Sequence, residues 1–220
     1  MTVVKYIEPK LGEGIFLTKD VSEILRIPYS RVRRWMIELW DTKFQNDFIT
    51  AFGNKGNKAI NFYTLIEFYT YFTLREEKVP WGQIFKAHAT IAKDLNTRYP
   101  FATKLHTDGK KVWYEQLGHL IKADGKKQFD LKAILEPFLK RIDFGADELA
   151  ERYYPLQNSK LVVVDPKHQF GQPTILGTNI TTEIIYKLNK GGETIEDIAD
   201  LYEINVEQVK SAILYYKPTG

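Results

Sequence analysis

The sequence predicts a mixed α+β chain that is mainly helical, and three observations carry the prediction. Apolar residues recur at i, i+3, i+4 and i+7 in several separated stretches, the spacing of amphipathic helices. Short runs of β-formers between them are punctuated by Gly-Asn and Asp-Gly pairs, which mark hairpins rather than helix breaks. The last part of the chain, from Leu161 to Tyr216, reads as a brief apolar strand, a Pro/Gly-rich loop and three short helices. With 220 residues, 44% of them hydrophobic, the chain can bury a substantial core. Its pattern divides into segments 1–98, 99–159 and 160–220.

The first segment predicts a winged helix-turn-helix. In Phe16–Trp40, Thr18 suits an N-cap and Asp20 places negative charge in the first helical turn. Val21, Ile24 and Leu25 follow at helical spacing, Ile27 would fill the corner between helices, and Pro28 would open the second helix or the turn before it. In that second helix Val32, Trp35, Met36 and Leu39 share one face. Ser30, Arg31 and Arg34 lie opposite, with Arg33 at the flank. A helix that buries Val and Trp while presenting arginines outward meets the requirements of a recognition helix. The following stretch, FITAFGNKGNKAINFY, predicts two strands around a basic tip at residues 53–58, suited to a wing on a DNA backbone. The candidate DNA contacts are therefore Thr18, Tyr29, Ser30, Arg31, Arg33 and Arg34 from the helices, and Lys55, Asn57 and Lys58 from the hairpin.

Residues Asn61–Arg75 form a helix that is apolar or aromatic nearly all round, so it is either central core or an interface. Phe68, Tyr69 and Phe72 are its candidate interface residues. A second helix, from about Pro80 to Leu95, carries the stripe Ile84, Phe85, His88, Ile91 and Leu95. Between Phe101 and Phe129 two Asp-Gly-Lys-Lys turns predict a small antiparallel meander with strands near Thr103–Thr107, Lys110–Gln116, His119–Ala123 and Lys126–Phe129. Asp130 then opens a helix through Arg141, which Pro137 should kink or split. Residues 151–155 and 161–164 look like strands that extend this sheet, the second covered on both faces. Three helices close the chain: Thr182–Asn189, Ile195–Tyr202 and Val206–Tyr215. Gly191-Gly192 break the first, and Thr194/Asp197 and Asn205/Gln208 are spaced as caps.

Charge separates the two ends. From Leu17 to Ile60, eight Lys/Arg stand against five acids, leaving +3; from Gly177 to Gly220, four Lys stand against seven acids, leaving −3. Affinity for DNA comes largely from neutralising phosphates, so the N-terminal end is the candidate for DNA and the C-terminal end for a protein partner. The absence of cysteine removes disulfide and thiolate chemistry and fits a reducing cytoplasm. No apolar run approaches the roughly 20 residues of a membrane helix, and charges interrupt the N-terminal region where a signal peptide needs an apolar core. The four histidines show no metal-ligand spacing, and neither a phosphate-binding glycine loop nor a nucleophile elbow is present. No enzyme and no cofactor are expected.

Two resemblances sharpen this reading. Pro166, Gly171, Pro173, Ile175, Gly177, Thr178, Ile180, Gly191, Ile198, Ala199, Tyr202, Val209, Ala212 and Tyr215 together resemble the trihelical domain of VapB-like antitoxins, which pair with PIN-like toxin nucleases. The chain departs from that family at Asn179, where an arginine is usual. Val21, Leu25, Ile27, Val32, Arg33 and Trp35 resemble the winged helix-turn-helix of the MerR family, with Arg26 standing where that family has glycine. The resemblances imply a homodimeric cytoplasmic antitoxin that binds operator DNA and blocks a PIN-like nuclease. A stand-alone transcription regulator without a toxin is the alternative, and an adaptor without DNA a third.

Overall fold

The structure is a computed structural model that describes residues 5–6, 10–40, 48–49, 51–53, 58–103 and 137–217. It is an α+β fold with small sheets and a helical majority among the described residues. Strands β1 (Lys5–Tyr6) and β3 (Phe48–Ile49) pair in parallel. Strand β2 (Phe16–Leu17) leads into helix α1 (Thr18–Leu25) and then α2 (Tyr29–Arg34), which continues as a π-helical turn, Trp35–Leu39. Strands β4 (Ala51–Phe52) and β5 (Ala59–Ile60) form an antiparallel hairpin, and β2 joins its β5 edge through Phe16 opposite Ile60. The two strands expected around residues 53–58 are present, while the tip between them, including Lys55 and Asn57, lies outside the described residues.

Thr18 does not cap α1. The N-cap is Leu17, and Thr18 is the buried first residue of the helix. The Asp20 carboxylate instead accepts from the Leu17 amide at 2.8 Å, which satisfies one of the free N–H groups at the helix start. Arg26 ends α1 in the left-handed conformation (φ 57°, ψ 40°). An L-residue pays about 1 kcal/mol or more there. The turn therefore keeps the shape glycine would give it, and the missing glycine changes the cost rather than the geometry. Ile27 plugs the corner as expected, 6% exposed, and Val32 and Met36 are sealed beneath α2.

Helix α3 (Phe62–Glu76) starts at Asn61, whose side-chain oxygen accepts from the Thr64 amide at 2.9 Å. It is buried on nearly every face and forms the centre of the main core, packed by α4 (Trp81–Leu95) and a 3-10 turn, Pro100–Ala102. Between the two possibilities for this helix, core or interface, Phe68, Tyr69 and Phe72 belong to the core. Phe68 meets Trp40 at 4.3 Å between ring centroids, Tyr69 stacks on Phe138 at 4.1 Å, and Phe72 lies edge-on to Trp35 at 6.2 Å. Their rings are packed within one chain and buried there.

The expected meander over 103–129 lies outside the described residues, except that Thr103 bridges Leu149. Residues 137–139 are helical; the rest of the helix expected from Asp130 is likewise outside them up to residue 136. Strands β6 (Ile142–Phe144) and β7 (Ala150–Tyr153) form a hairpin, which Tyr153 extends by a two-bond bridge to Val164. Val162, Val163 and Val164 are buried, as a strand covered on both faces requires, with β8 (Val162–Val163) pairing β9 (Thr174–Ile175).

Helices α5 (Thr182–Gly191), α6 (Ile195–Tyr202) and α7 (Val206–Tyr215) enclose a second small core of Ile175, Ile185, Ile198, Ala199, Val209 and Ala212. Both predicted caps are present. Thr194 accepts from the Asp197 amide at 3.1 Å, and Asn205 and Gln208 form a reciprocal capping box at 2.8 and 2.9 Å. Gly192 (φ 108°) ends α5.

This C-terminal unit is docked on the N-terminal helices. The Ile15 amide donates to Phe170 O at 3.1 Å. Gly171 lies flat on the Phe16 ring: a Cβ built there would stand 2.4 Å from Phe16 Cζ, and φ is +87°. Arg26 reaches across to the end of α7, donating to Tyr215 O at 3.0 Å and Lys217 O at 3.3 Å.

Candidate nucleic-acid and partner surfaces

The candidate nucleic-acid surface is built by α1, α2 and the hairpin. Burial of Val32 and Met36 fixes the roll of α2, each contributing on the order of 1.5–3 kcal/mol when fully removed from water. That roll sends Tyr29, Ser30, Arg31, Arg33 and Arg34 to the surface together. None of Arg31, Arg33 and Arg34 has an ion-pair or hydrogen-bond partner among the described residues. Lys58 is positioned differently from the sequence expectation: it is half-buried and its ammonium donates to Met36 O at 3.3 Å, closing the π-helical turn. Thr18 is buried and faces the core rather than a duplex.

Beside α2 lies a cleft of about 690 Å³ that pattern reading did not anticipate. Ser30, Arg31 and Arg34 form one wall, Arg75 and Glu76 at the end of α3 the other, and Trp35, Tyr71 and Phe72 the floor. The Trp35 and Tyr71 rings lie 4.2 Å apart by centroid. Burial pushes the Tyr71 hydroxyl up to about 12, while the nearby charges of Arg75 and Arg31 pull it the other way. Arg75 is legible in the sequence only as the last basic residue of an aromatic helix. Its place opposite Arg31 depends on how α2 crosses α3, which no local pattern encodes.

The C-terminal surface is polar and acidic with apolar islands. Lys187 and Lys210 pair with Glu183 and Glu207 on their own helices at 2.7 and 2.9 Å. Ile184, Leu201 and Leu214 stand 42%, 67% and 49% exposed, one on each helix. The loop between β8 and β9 is pinned by Asp165, which is buried, accepts from Arg152 Nε at 2.9 Å and accepts from the Lys167 amide at 2.9 Å. His168 Nδ1 lies 3.0 Å from the side-chain oxygen of Asn179, the position at which the resembled family has arginine. Next to it Phe170 adopts a left-handed conformation (φ 54°) and turns its ring 68% into solvent.

These features define a class first: an α+β chain with an arginine-bearing helix pair at one end and an acidic trihelical unit docked against it. Comparison with known proteins finds likenesses to part of the chain and to nearly all of it. The family described as "Protein of unknown function (DUF433)" matches residues 162–216, which is the trihelical unit with its strand and loop. Over 94% of this chain and 95% of its own length, the Mycobacterium tuberculosis protein named "Putative antitoxin VapB45" is 25% identical. The "Uncharacterized protein Rv2308" of the same organism is 36% identical over 56 residues, 26% of this chain and 24% of that protein. The crystal structure of Rv2018 from Mycobacterium tuberculosis superposes with a TM-score of 0.69, covering 90% of this chain and 96% of that one at 24% identity, and so shares the fold.

Proposed function

We propose that the chain is an antitoxin of a VapBC-type module, which docks α2 on operator DNA as a homodimer and uses its later segments to bind and neutralise a PIN-like ribonuclease. The observation that carries the antitoxin reading is the end-to-end likeness to a protein named as an antitoxin, covering 94% of this chain. The DNA half is supported by α2 and the turn after it, which bury Val32 and Met36 and leave Arg31, Arg33 and Arg34 at the surface with no ion pair or hydrogen bond among the described residues, with a β-hairpin beside them. Guanidinium groups so placed bind phosphate, or guanine bidentately in a major groove. The C-terminal unit carries net negative charge, and Glu207 stands in the first turn of its last helix, where a DNA reader would face bases. Phosphate would repel that end. Exposed Ile184, Leu201 and Leu214 suit a protein partner instead.

Co-expression with the adjacent reading frame, with a tag on this chain alone, tests the antitoxin reading. A stoichiometric complex with a small nuclease whose toxicity the chain suppresses is expected; recovery of the chain alone, still shifting its own promoter, leaves a stand-alone regulator. For the DNA half, the double variant Arg31→Ala/Arg34→Ala should weaken promoter binding and lower the slope of log K against log salt by about 2, one unit for each phosphate that is no longer neutralised. An unchanged slope removes α2 from the interface.

A further inference from the structure

We propose that the cleft between α2 and the end of α3 binds a small phosphorylated ligand through Arg31, Arg34 and Arg75, and that its occupancy excludes DNA from α2. The second half rests on the reading of α2 as the DNA-contacting helix. Three arginines from two elements line one concavity, and Glu76, the only acid among its described lining residues, makes no ion pair with them among the described residues. Three positive charges against one carboxylate leave the cleft net positive, and an anion relieves the repulsion among them. Arg75 is held in place, because its Nη1 donates to Val79 O at 2.5 Å and leaves further N–H donors for a ligand. Ser30 adds a hydroxyl at the same wall, and the floor of Trp35, Tyr71 and Phe72 excludes water from beneath the charges.

Phosphate fits this arrangement better than carboxylate does. A phosphate group offers more acceptor oxygens than a carboxylate and so satisfies more of these fork-shaped guanidinium donors together. The volume, about 690 Å³, lies in the range of small-molecule sites. Arg31 and Arg34 are also the groups that would meet duplex phosphates, and a guanidinium engaged in the cleft is withdrawn from the duplex.

The test uses the full chain, with ATP and inorganic triphosphate as probes in calorimetry and a fluorescent promoter duplex in anisotropy. Uptake of either probe is expected, weakened about tenfold or more in both Arg34→Gln and Arg75→Gln. Duplex binding by Arg75→Gln should stay within about twofold of the parent, and saturating probe should release the duplex. Arg75 also holds the Val79 turn, so Arg34→Gln, which breaks no hydrogen bond or ion pair among the described residues, guards against misfolding. Absence of uptake of both probes at millimolar concentration overturns the proposal. So does uptake that is the same in parent and variants, or an Arg75→Gln chain that loses only duplex binding. Arginine-dependent uptake by a chain that binds no duplex supports the ligand site and removes the DNA reading instead.

Discussion

Arg26 shows how a single residue serves two structural demands. The turn between α1 and α2 requires a left-handed residue, and glycine would meet that requirement without strain. Arginine accepts the strain, and its guanidinium then binds the last carbonyl of α7 and that of Lys217 just beyond it, 189 and 191 residues away. It also sits 6.0 Å over the Tyr215 ring. The two roles separate by mutation. Arg26→Ala loses both hydrogen bonds and keeps the strain, so it should lower stability by about 1–3 kcal/mol. Arg26→Gly loses the same bonds but sheds about 1 kcal/mol of strain, and should be the less damaging of the two. Urea denaturation of the three chains gives the order directly. A glycine variant weaker than the alanine variant would refute this division of roles. The departure at Arg26 is visible in the sequence. Its bonding partner is not, because nothing local links residue 26 to residue 215.

At the scale of elements, legibility follows the range of the forces involved. Helices α3, α4, α6 and α7 are readable because apolar period and caps such as Asn205/Gln208 are local. The cap of α1 falls one residue before Thr18 because Asp20 reaches back to Leu17 and makes Thr18 unnecessary in that role. The role of the aromatic helix stays open in the sequence because burial against one's own chain and burial against a second copy leave the same pattern. Tertiary packing decides it: Trp40, Phe138 and Trp35 occupy the faces of Phe68, Tyr69 and Phe72. The polar heart of this packing is Glu67, buried in α3. Its carboxylate lies 2.6 Å from His88 Nε2 on α4 and accepts from the Phe101 amide at 2.6 Å, so that two helices and the 3-10 turn share one side chain. Removing one partner of such a buried pair strands the other. His88→Ala should therefore cost about 1–3 kcal/mol beyond its lost volume. In a Glu67→Leu background the same substitution should cost much less. Equal costs in the two backgrounds, measured by urea denaturation, would show that the pair is not coupled.

For the molecule as a whole, the question is whether the trihelical unit and the N-terminal unit unfold together. Their contact runs through Phe16 against Gly171, Ile15 against Phe170, and Arg26 against Tyr215 and Lys217. Buried tyrosines report on all of it: Tyr69 and Tyr153 in the main core, Tyr71 beneath the cleft, and Tyr215 at the junction. Burial is the largest cause in each case and pushes every one of these hydroxyls above 10.0, Tyr71 to about 12. The fold thus holds the neutral phenol, which the unfolded chain surrenders near pH 10.0. The stability linked to these groups is complete below pH 10.0 and is lost as pH rises through the folded-state values. Loss of surface lysine charge over the same range matters little, since exposed pairs contribute about 0–1 kcal/mol. Alkaline titration should therefore give one cooperative transition between pH 10 and about 12, with phenolate absorbance rising as helical circular dichroism falls. Tyr215 lies beside the junction, under Arg26, so its ionisation places a charge where the two units meet. Two separated transitions would mean that the units fold independently and that the Arg26 and Gly171 contacts are incidental, whereas phenolate formation with helicity intact would mean that the tyrosines reach water without unfolding.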